Sequence, residues 1–329
     1  MAGHHLLEVD DLHVEFRTRR GVVHAVNGVS YTLDERETLA ILGESGSGKS
    51  VSAHALMGLL DSPPGFITRG SARFRGRDLL RMQERERRTV RGEQIAMIFQ
   101  DALTALNPVR SVGWQIAEMY RVHRGASPRE AHQKAVELME RVRIPSARQR
   151  ANNYPHQFSG GMRQRVMIAM ALALDPDILI ADEPTTALDV TVQAQVMDLL
   201  SQLQQETRMG LILITHDLGV VAEAADRVAV MYAGRIVETG PVRDVYRHPA
   251  HPYTQGLLAS IARLDGRGGT LTPIKGAPPN LMRIPSGCPF HPRCPYRRDV
   301  CVEHRPPLYE VPGRRGSACH FWEEVADGT

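Results

Sequence analysis

The chain has 329 residues, 23% of them charged, and a formal net charge of only +3. Its length exceeds the usual size of one hydrophobic core, and so balanced a charge excludes a strong field aimed at nucleic acid or an anionic membrane surface. The basic residues are nearly all arginine, with Lys49, Lys134 and Lys275 the only lysines, a bias that coding composition explains.

In chain order, the opening stretch LLEVDDLHVEF reads as an antiparallel strand at a sheet margin. The runs TLAILG (38–43), DILIAD (177–182) and GLILITH (210–216) are continuously apolar, which predicts strands covered on both faces of a parallel α/β sheet. Between 101 and 175 helical signals dominate and predict an α-helical insert. Its best-marked helix has Ser127 as N-cap, Pro128 at the first helical position and Glu130 closing a capping box. Ala131, Ala135, Leu138, Met139 and Val142 then fall on one face. The stretch RVAVMYAGRIVETG, with its Ala-Gly turn, predicts a second antiparallel pair. The longest apolar run, Val166 to Leu174, is far short of the roughly 20 residues that span a bilayer. Acidic residues stand where a signal peptide would carry its apolar stretch, so a cytosolic chain is expected.

From about Pro273 the texture changes. Ten of the 21 prolines fall in the last 57 residues, and neither helical nor strand periodicity survives there. Such a tail cannot close a core of its own and requires a staple or a partner surface.

GESGSGKS, residues 43–50, fits the GxxxxGK[ST] pattern between a predicted strand and a predicted helix. Gly43, Glu44, Ser45, Gly46, Ser47 and Gly48 can turn successive N–H groups toward phosphates, while Lys49 supplies charge and Ser50 an oxygen for Mg²⁺. DILIADEP places Asp182 and Glu183 at the end of a buried strand. There Asp182 can hold the Mg²⁺ shell and Glu183 can polarise an attacking water. No NKxD-type stretch is present, which counts against a GTPase.

FSGGMRQR, residues 158–165, resembles the signature of the ATP-binding cassette proteins. Ser159, Gly160 and Gly161 stand at the matching positions, 110 residues after Lys49; Met162 replaces the glutamine that most of the family carries near the ribose. The resemblance implies a P-loop nucleotide-binding fold, a mixed sheet with an antiparallel β margin and an α-helical subdomain. It further makes Gln100 the loop glutamine at the metal, Asp189 in TALDV a residue of the dimer interface, His216 the γ-phosphate switch and Phe16 the adenine-stacking aromatic. ATP is then held between one chain's P-loop and the signature of a partner cassette, so one chain alone is half a machine.

HPYTQGLLASI (251–261), IKGAPPNL (274–281) and GCPFHPRCP (287–295) resemble the C-terminal extension of dipeptide and oligopeptide importer ATPases. This resemblance implies residues 1–260 as the ATPase domain, with the helical subdomain at about 101–175, and 261–329 as the proline- and cysteine-rich extension. It implies ATP hydrolysis on the cytoplasmic face of the membrane, a peripheral location, and energised uptake of di- or oligopeptides. The implied partners are a second cassette subunit, a paralogue rather than an identical chain, two membrane permease subunits and an extracytoplasmic peptide-binding protein, with no nucleic acid. The segment from Gln100 to about Val122 is expected to dock a permease helix, and a charge at Ala105 or Leu106 to uncouple transport. A soluble, non-transport cassette ATPase associated with nucleic acid or ribosomes is the alternative; the long insertions or second cassette usual in those proteins are missing.

Cys288, Cys294, Cys301 and Cys319 are spaced C-x5-C-x6-C-x17-C, without the tight C-x2-C knuckles common in structural zinc sites. Four thiolates can hold a [4Fe-4S] cluster, and the extension that this tail resembles is associated with one; zinc and free thiols stay open. Arg293, Arg297, Arg298, Arg305, Arg314 and Arg315 stand near the cysteines in sequence and favour the thiolate form. No sequence feature ties the tail to Lys49 or Glu183, so its expected role is structural, with redox sensing second.

Overall fold

The structure, a computed structural model, describes residues 5–186, 188–260 and 274–328. The expected boundary after residue 260, the first stretch of the tail (261–273) and Ala187 of TALDV lie outside the described residues. In chain order the elements begin with β1 (Leu7–Thr18), β2 (Gly21–Leu33), β3 (Thr38–Leu42), α1 (Lys49–Met57), β4 (Gly65–Phe74) and β5 (Arg77–Asp78). They continue with α2 (Glu84–Val90), β6 (Ile95–Ile98), α3 (Ala102–Ala105), α4 (Val112–Arg124), α5 (Pro128–Arg141), α6 (Ala147–Arg150) and α7 (Gly160–Leu172). Next come β7 (Ile178–Asp182), α8 (Val190–Thr207), β8 (Gly210–Thr215), α9 (Leu218–Ala224), β9 (Arg227–Tyr232), β10 (Arg235–Pro241), α10 (Val242–Arg247) and α11 (Pro252–Ala259). The C-terminal part adds α12 (Asp299–Glu303), β11 (Tyr309–Val311), β12 (Arg315–Ser317) and α13 (Trp322–Asp327).

The chain divides into two compact units. One comprises Met1–Leu33, Thr38–Leu80 and Thr215–Thr329. It holds an antiparallel sheet in the order β2-β1-β4-β5 and a run of strands in the order β11-β12-β10-β9-β3. In that run β3 is parallel to β9, while each neighbouring pair among β9, β10, β12 and β11 is antiparallel. The expected Ala-Gly turn joins β9 to β10: Ala233 and Gly234 have φ of 50° and 75°, the pair of left-handed residues that a tight hairpin matched to strand twist requires.

The other unit comprises Asp34–Glu37 and Arg81–Ile214. Its strands β8, β7 and β6 run parallel, and β7 and β8 are buried at every residue, as continuous apolar runs require. Helices α3 to α7 fill the stretch expected to be helical. In α5, Ser127 accepts from the Glu130 N–H at 3.3 Å, and all five residues of the expected apolar face are buried. The reciprocal half of the capping box does not form; the Glu130 carboxylate instead lies 3.3 Å from Lys134, one helical turn on.

The tail departs from expectation, because it carries short helices and two strands. The hydrophobic surface that it lacks is provided by β9 and α11. Phe290 is buried with its ring 5.2 Å from Tyr232 and 5.5 Å from Tyr253, an aromatic trio completed by the 4.6 Å contact between the two tyrosines. Strand β12 pairs with β10 through Ser317 opposite Glu238, and the Ser317 hydroxyl donates to the Ala250 carbonyl at 2.7 Å.

Candidate functional site

The phosphate loop leaves β3 at Gly43 and enters α1 at Lys49. Two of its glycines are fixed by their neighbours: a Cβ at Gly43 would collide with the Met231 carbonyl oxygen, and one at Gly48 with that of Ala25. Gly48 also has φ of 101° and forms the N-cap of α1, so the loop's amides gather at a helix N-terminus. Lys49 is buried, its Nζ donating to the carbonyls of Gly43 (2.7 Å) and Glu44 (3.0 Å). Ser47 Oγ is buried with no hydrogen-bond partner, a polar atom in a glycine-rich cradle that suits a phosphate oxygen. Phe16, half-buried in β1 opposite Gly65, keeps its ring over that glycine, and His216 is exposed just beyond β8.

In the other unit the structure brings together Gln100 and Glu183. Gln100 Nε2 donates to Glu183 Oε2 at 2.9 Å, and the Thr186 hydroxyl donates to the same oxygen at 2.8 Å. Asp182 is buried at the end of β7, and Glu183 follows in a left-handed conformation, φ 47°, with its N–H donating to the Ile214 carbonyl. That turn re-aims the second carboxylate away from the strand direction while β8 holds its backbone. The sequence pattern did not single out Thr186; only the folded turn places its hydroxyl on Glu183.

Ser159 is the N-cap of α7, accepting from the Met162 N–H at 3.4 Å, and both Ser159 and Gly160 are exposed. Gly161 is required by packing, since a Cβ there would run into Val192 of α8. Asp189 caps α8 by accepting from the Val192 N–H at 2.9 Å, so the two motif segments meet at Val192. In the segment expected to dock a membrane partner, Val109 is 74% exposed and Arg110 lies over the Trp114 ring at 4.5 Å. Ala105 is exposed, but Leu106 is buried, which removes Leu106 from any docking surface.

The four cysteines border one narrow space of about 10 Å³, together with His251, His291 and His320. Among the described residues no group of three or more His, Cys, Asp or Glu side chains is arranged to hold a metal ion. Backbone N–H groups nevertheless point at the sulfurs: those of Phe290 and His291 at Cys288, that of Tyr296 at Cys294 and that of Phe321 at Cys319, the last at 3.4 Å. Burial outweighs these donors and pushes the Cys294 thiol up to about 11 and Cys319 up to about 12.

The tail does approach the P-loop, contrary to the expectation that it stands apart from Lys49's loop. Pro278, Pro279 and Leu281 border a small cavity with Glu44, Ser45, Gly46 and Ser47. Arg293, adjacent to Cys294, grips the Glu44 carboxylate with Nη1 and Nη2 at 2.8 and 3.0 Å. With the partners 249 positions apart in sequence, no local sequence signal could have joined them.

Residues 26–186 match the family described as ABC transporter, and residues 237–301 match the family described as oligopeptide/dipeptide transporter, C-terminal region. The oligopeptide transport ATP-binding protein OppD of Salmonella typhimurium is 55% identical over 314 residues, 95% of this chain and 93% of that protein. The dipeptide transport ATP-binding protein DppD of Bacillus subtilis is 53% identical over 296 residues, 90% of this chain and 88% of that one. Among solved structures, an ATP-binding cassette in a dimeric post-hydrolysis state with ADP and phosphate superposes with a TM-score of 0.65 at 27% identity, over 72% of this chain and 99% of that one. The fold is accordingly the P-loop cassette fold with mixed sheet and helices.

Proposed function

The chain belongs to the ATP-binding cassette ATPases of oligopeptide and dipeptide transporters, and we propose how its residues divide the work of ATP hydrolysis and peptide import. It is the ATP-hydrolysing subunit of a peptide importer. The reading of a nucleic-acid- or ribosome-associated ATPase is not favoured, since the relatives are named as transport proteins.

The observation that carries the catalytic assignment is the convergence of the Gln100 amide and the Thr186 hydroxyl on one carboxylate oxygen of Glu183. Glu183 orients and deprotonates the attacking water, and Gln100 and Thr186 hold its carboxylate in one rotamer. Lys49 and the amides of the loop from Gly43 to Ser50 bind the phosphates, Phe16 stacks on the base, and His216 reads the γ-phosphate. Ser50, Asp182 and Gln100 carry oxygen donors that would suit Mg²⁺, which would supply charge neutralisation for the phosphates. Ser159, Gly160, Gly161, Met162 and Asp189 face the nucleotide of a partner cassette; the exposed, capped N-terminus of α7 suits an anion presented from outside the chain.

The partner cassette is a paralogue, and the pair energises two permease subunits served by an extracytoplasmic peptide-binding protein, with no nucleic acid involved. Among the described residues no helix is long and apolar enough to cross a membrane, which suits a peripheral subunit at the cytoplasmic face. Residues 1–260 act as the ATPase domain, with 101–175 as its helical subdomain, and 261–329 as the importer-type extension. The four cysteines carry a [4Fe-4S] cluster. Four thiols on one space, with N–H groups aimed at three of the sulfurs, suit its ligation, although the sulfurs must move apart from that 10 Å³ space to admit four irons. When bound, such a cluster supplies a covalent crosslink, and the surrounding chain positions the thiols and shields them from water. ATP-driven peptide uptake by proteoliposomes containing this chain, its permease partners and the binding protein tests the assignment; uptake that persists without this chain would refute it.

A further inference from the structure

Glu44 is held at both of its ends. Its backbone N–H donates to the Tyr253 hydroxyl at 2.8 Å, and Tyr253 is fully buried in the aromatic trio with Tyr232 and Phe290. Its carboxylate takes the two-pronged ion pair from Arg293, whose side chain is only 5% exposed. The guanidinium has little freedom of its own, because Nε donates to the Lys275 carbonyl at 3.1 Å and Nη1 also reaches the Tyr232 hydroxyl at 3.4 Å. A bidentate guanidinium–carboxylate pair fixes the plane of its acceptor as well as its distance. The Glu44 carbonyl in turn accepts from Lys49 Nζ at 3.0 Å and from the Ser47 N–H at 3.2 Å.

We propose that Arg293 is a positioning residue for ATP binding: through Glu44 it sets the backbone of the phosphate loop, and with it the place of Lys49. Arg293 touches neither phosphate nor metal in this role; it keeps the loop in the shape that the phosphates require, which lowers the ordering cost of binding. Because Arg293 is one residue from Cys294, a rearrangement of the cysteine segment that moves Arg293 reaches the phosphate loop through this ion pair. Lost preorganisation weakens binding in the ground state and the transition state alike, so KM for ATP moves and kcat does not.

The test uses the full-length chain, with a fluorescent ATP analogue as probe, and the assembled transporter for kinetics. R293Q is expected to weaken analogue binding and raise KM for ATP about tenfold with kcat within about twofold, the size expected for losing a shielded charged pair. E44Q is expected to raise KM similarly, the double variant R293Q/E44Q to be no worse than either single change, and R293K to recover part of the loss. Unchanged KM in folded R293Q, additive effects in the double variant, or a loss confined to kcat would each overturn the proposal. Should R293Q not fold, E44Q decides from the loop side, its tail checked by thermal melting because Arg293 then loses its carboxylate partner, and an unchanged KM in folded E44Q would equally overturn the proposal.

Discussion

Gln100 and Glu183, 83 residues apart, share a 2.9 Å hydrogen bond, with the glutamine amide donating to the same carboxylate oxygen that receives the Thr186 hydroxyl. One oxygen of Glu183 is thereby fixed by two neutral donors, and the carboxylate is held in one orientation.

Glu183→Gln preserves side-chain size and the left-handed backbone but removes the base. ATP binding should persist while turnover in the assembled transporter falls by about 10²–10⁴. Gln100→Ala should cost less, since Thr186 still orients the carboxylate. Steady-state ATPase and trapping of unhydrolysed nucleotide check both; near-wild-type turnover of E183Q would remove Glu183 from the role.

The purified chain alone should be a poor ATPase. Ser159 and Gly160 lie exposed at the start of α7, where they can meet a nucleotide held by another cassette. Activity should rise with protein concentration and again when the membrane partners are added. A rate per chain that is high and independent of both would contradict a shared site.

The docking surface is expected to centre on Ala105 and Val109. Val109→Glu and Ala105→Glu should abolish peptide uptake while sparing ATP binding. Leu106→Glu should instead destabilise the chain by several kcal/mol, because the new charge is buried without a partner. Uptake assays paired with thermal melts separate the two outcomes, and normal uptake in both surface variants would exclude this face.

Much of this was legible in sequence where the signal is local. The runs that became β3, β7 and β8, the Ala-Gly hairpin and the Ser127 cap each depend on a few neighbouring residues, and the structure has them where the pattern put them. Strand β6, IAMI, is only four residues long, too short to show a period. The tail was opaque for a different reason: Phe290, Ser317 and Arg293 find their partners in Tyr232, Glu238, Ala250 and Glu44, and long-range pairing leaves no periodicity. Proline richness signalled correctly that the tail lacks a core of its own, but not which surface would complete it.

Glu238 should give stability a pH dependence. It is fully buried, accepting from the N–H groups of Ala250 and His251 and facing Thr254 and Arg315; burial outweighs these and pushes its carboxyl up to about 7. A raised carboxyl pKa means that the folded state binds more protons than the unfolded one between the ordinary value and about 7. Its contribution is therefore greatest at the acid end of that window and is lost as pH rises through it, by up to about 1.4 kcal/mol per pH unit. Neighbouring His251, lowered to about 3 by burial, acts in the opposite sense as pH falls below its usual value, so the two must be separated by comparison. Urea unfolding of wild type against Glu238→Gln, whose amide mimics the protonated carboxyl, should show wild-type stability falling relative to the variant as pH rises to about 7 and levelling beyond. A difference independent of pH would rule out titration of Glu238.

The cysteine site makes the last prediction. Burial holds Cys288, Cys294 and Cys319 as neutral thiols in the metal-free chain, and a coordinating metal reverses that preference by deprotonating them. The N–H groups of Phe290, His291, Tyr296 and Phe321 are already directed at the sulfurs and would stabilise the anions so formed. Protein purified without oxygen should be brown and contain about four irons per chain, the stoichiometry of a [4Fe-4S] cluster. Cys294→Ser should lose the colour and the iron. It should also raise KM for ATP if removing the cluster shifts Arg293 from Glu44, whereas an unchanged KM means that the ion pair holds without it. Colourless anaerobic protein with one zinc and no iron would replace the cluster with a zinc site, and protein with neither metal would leave four reduced thiols around one small space.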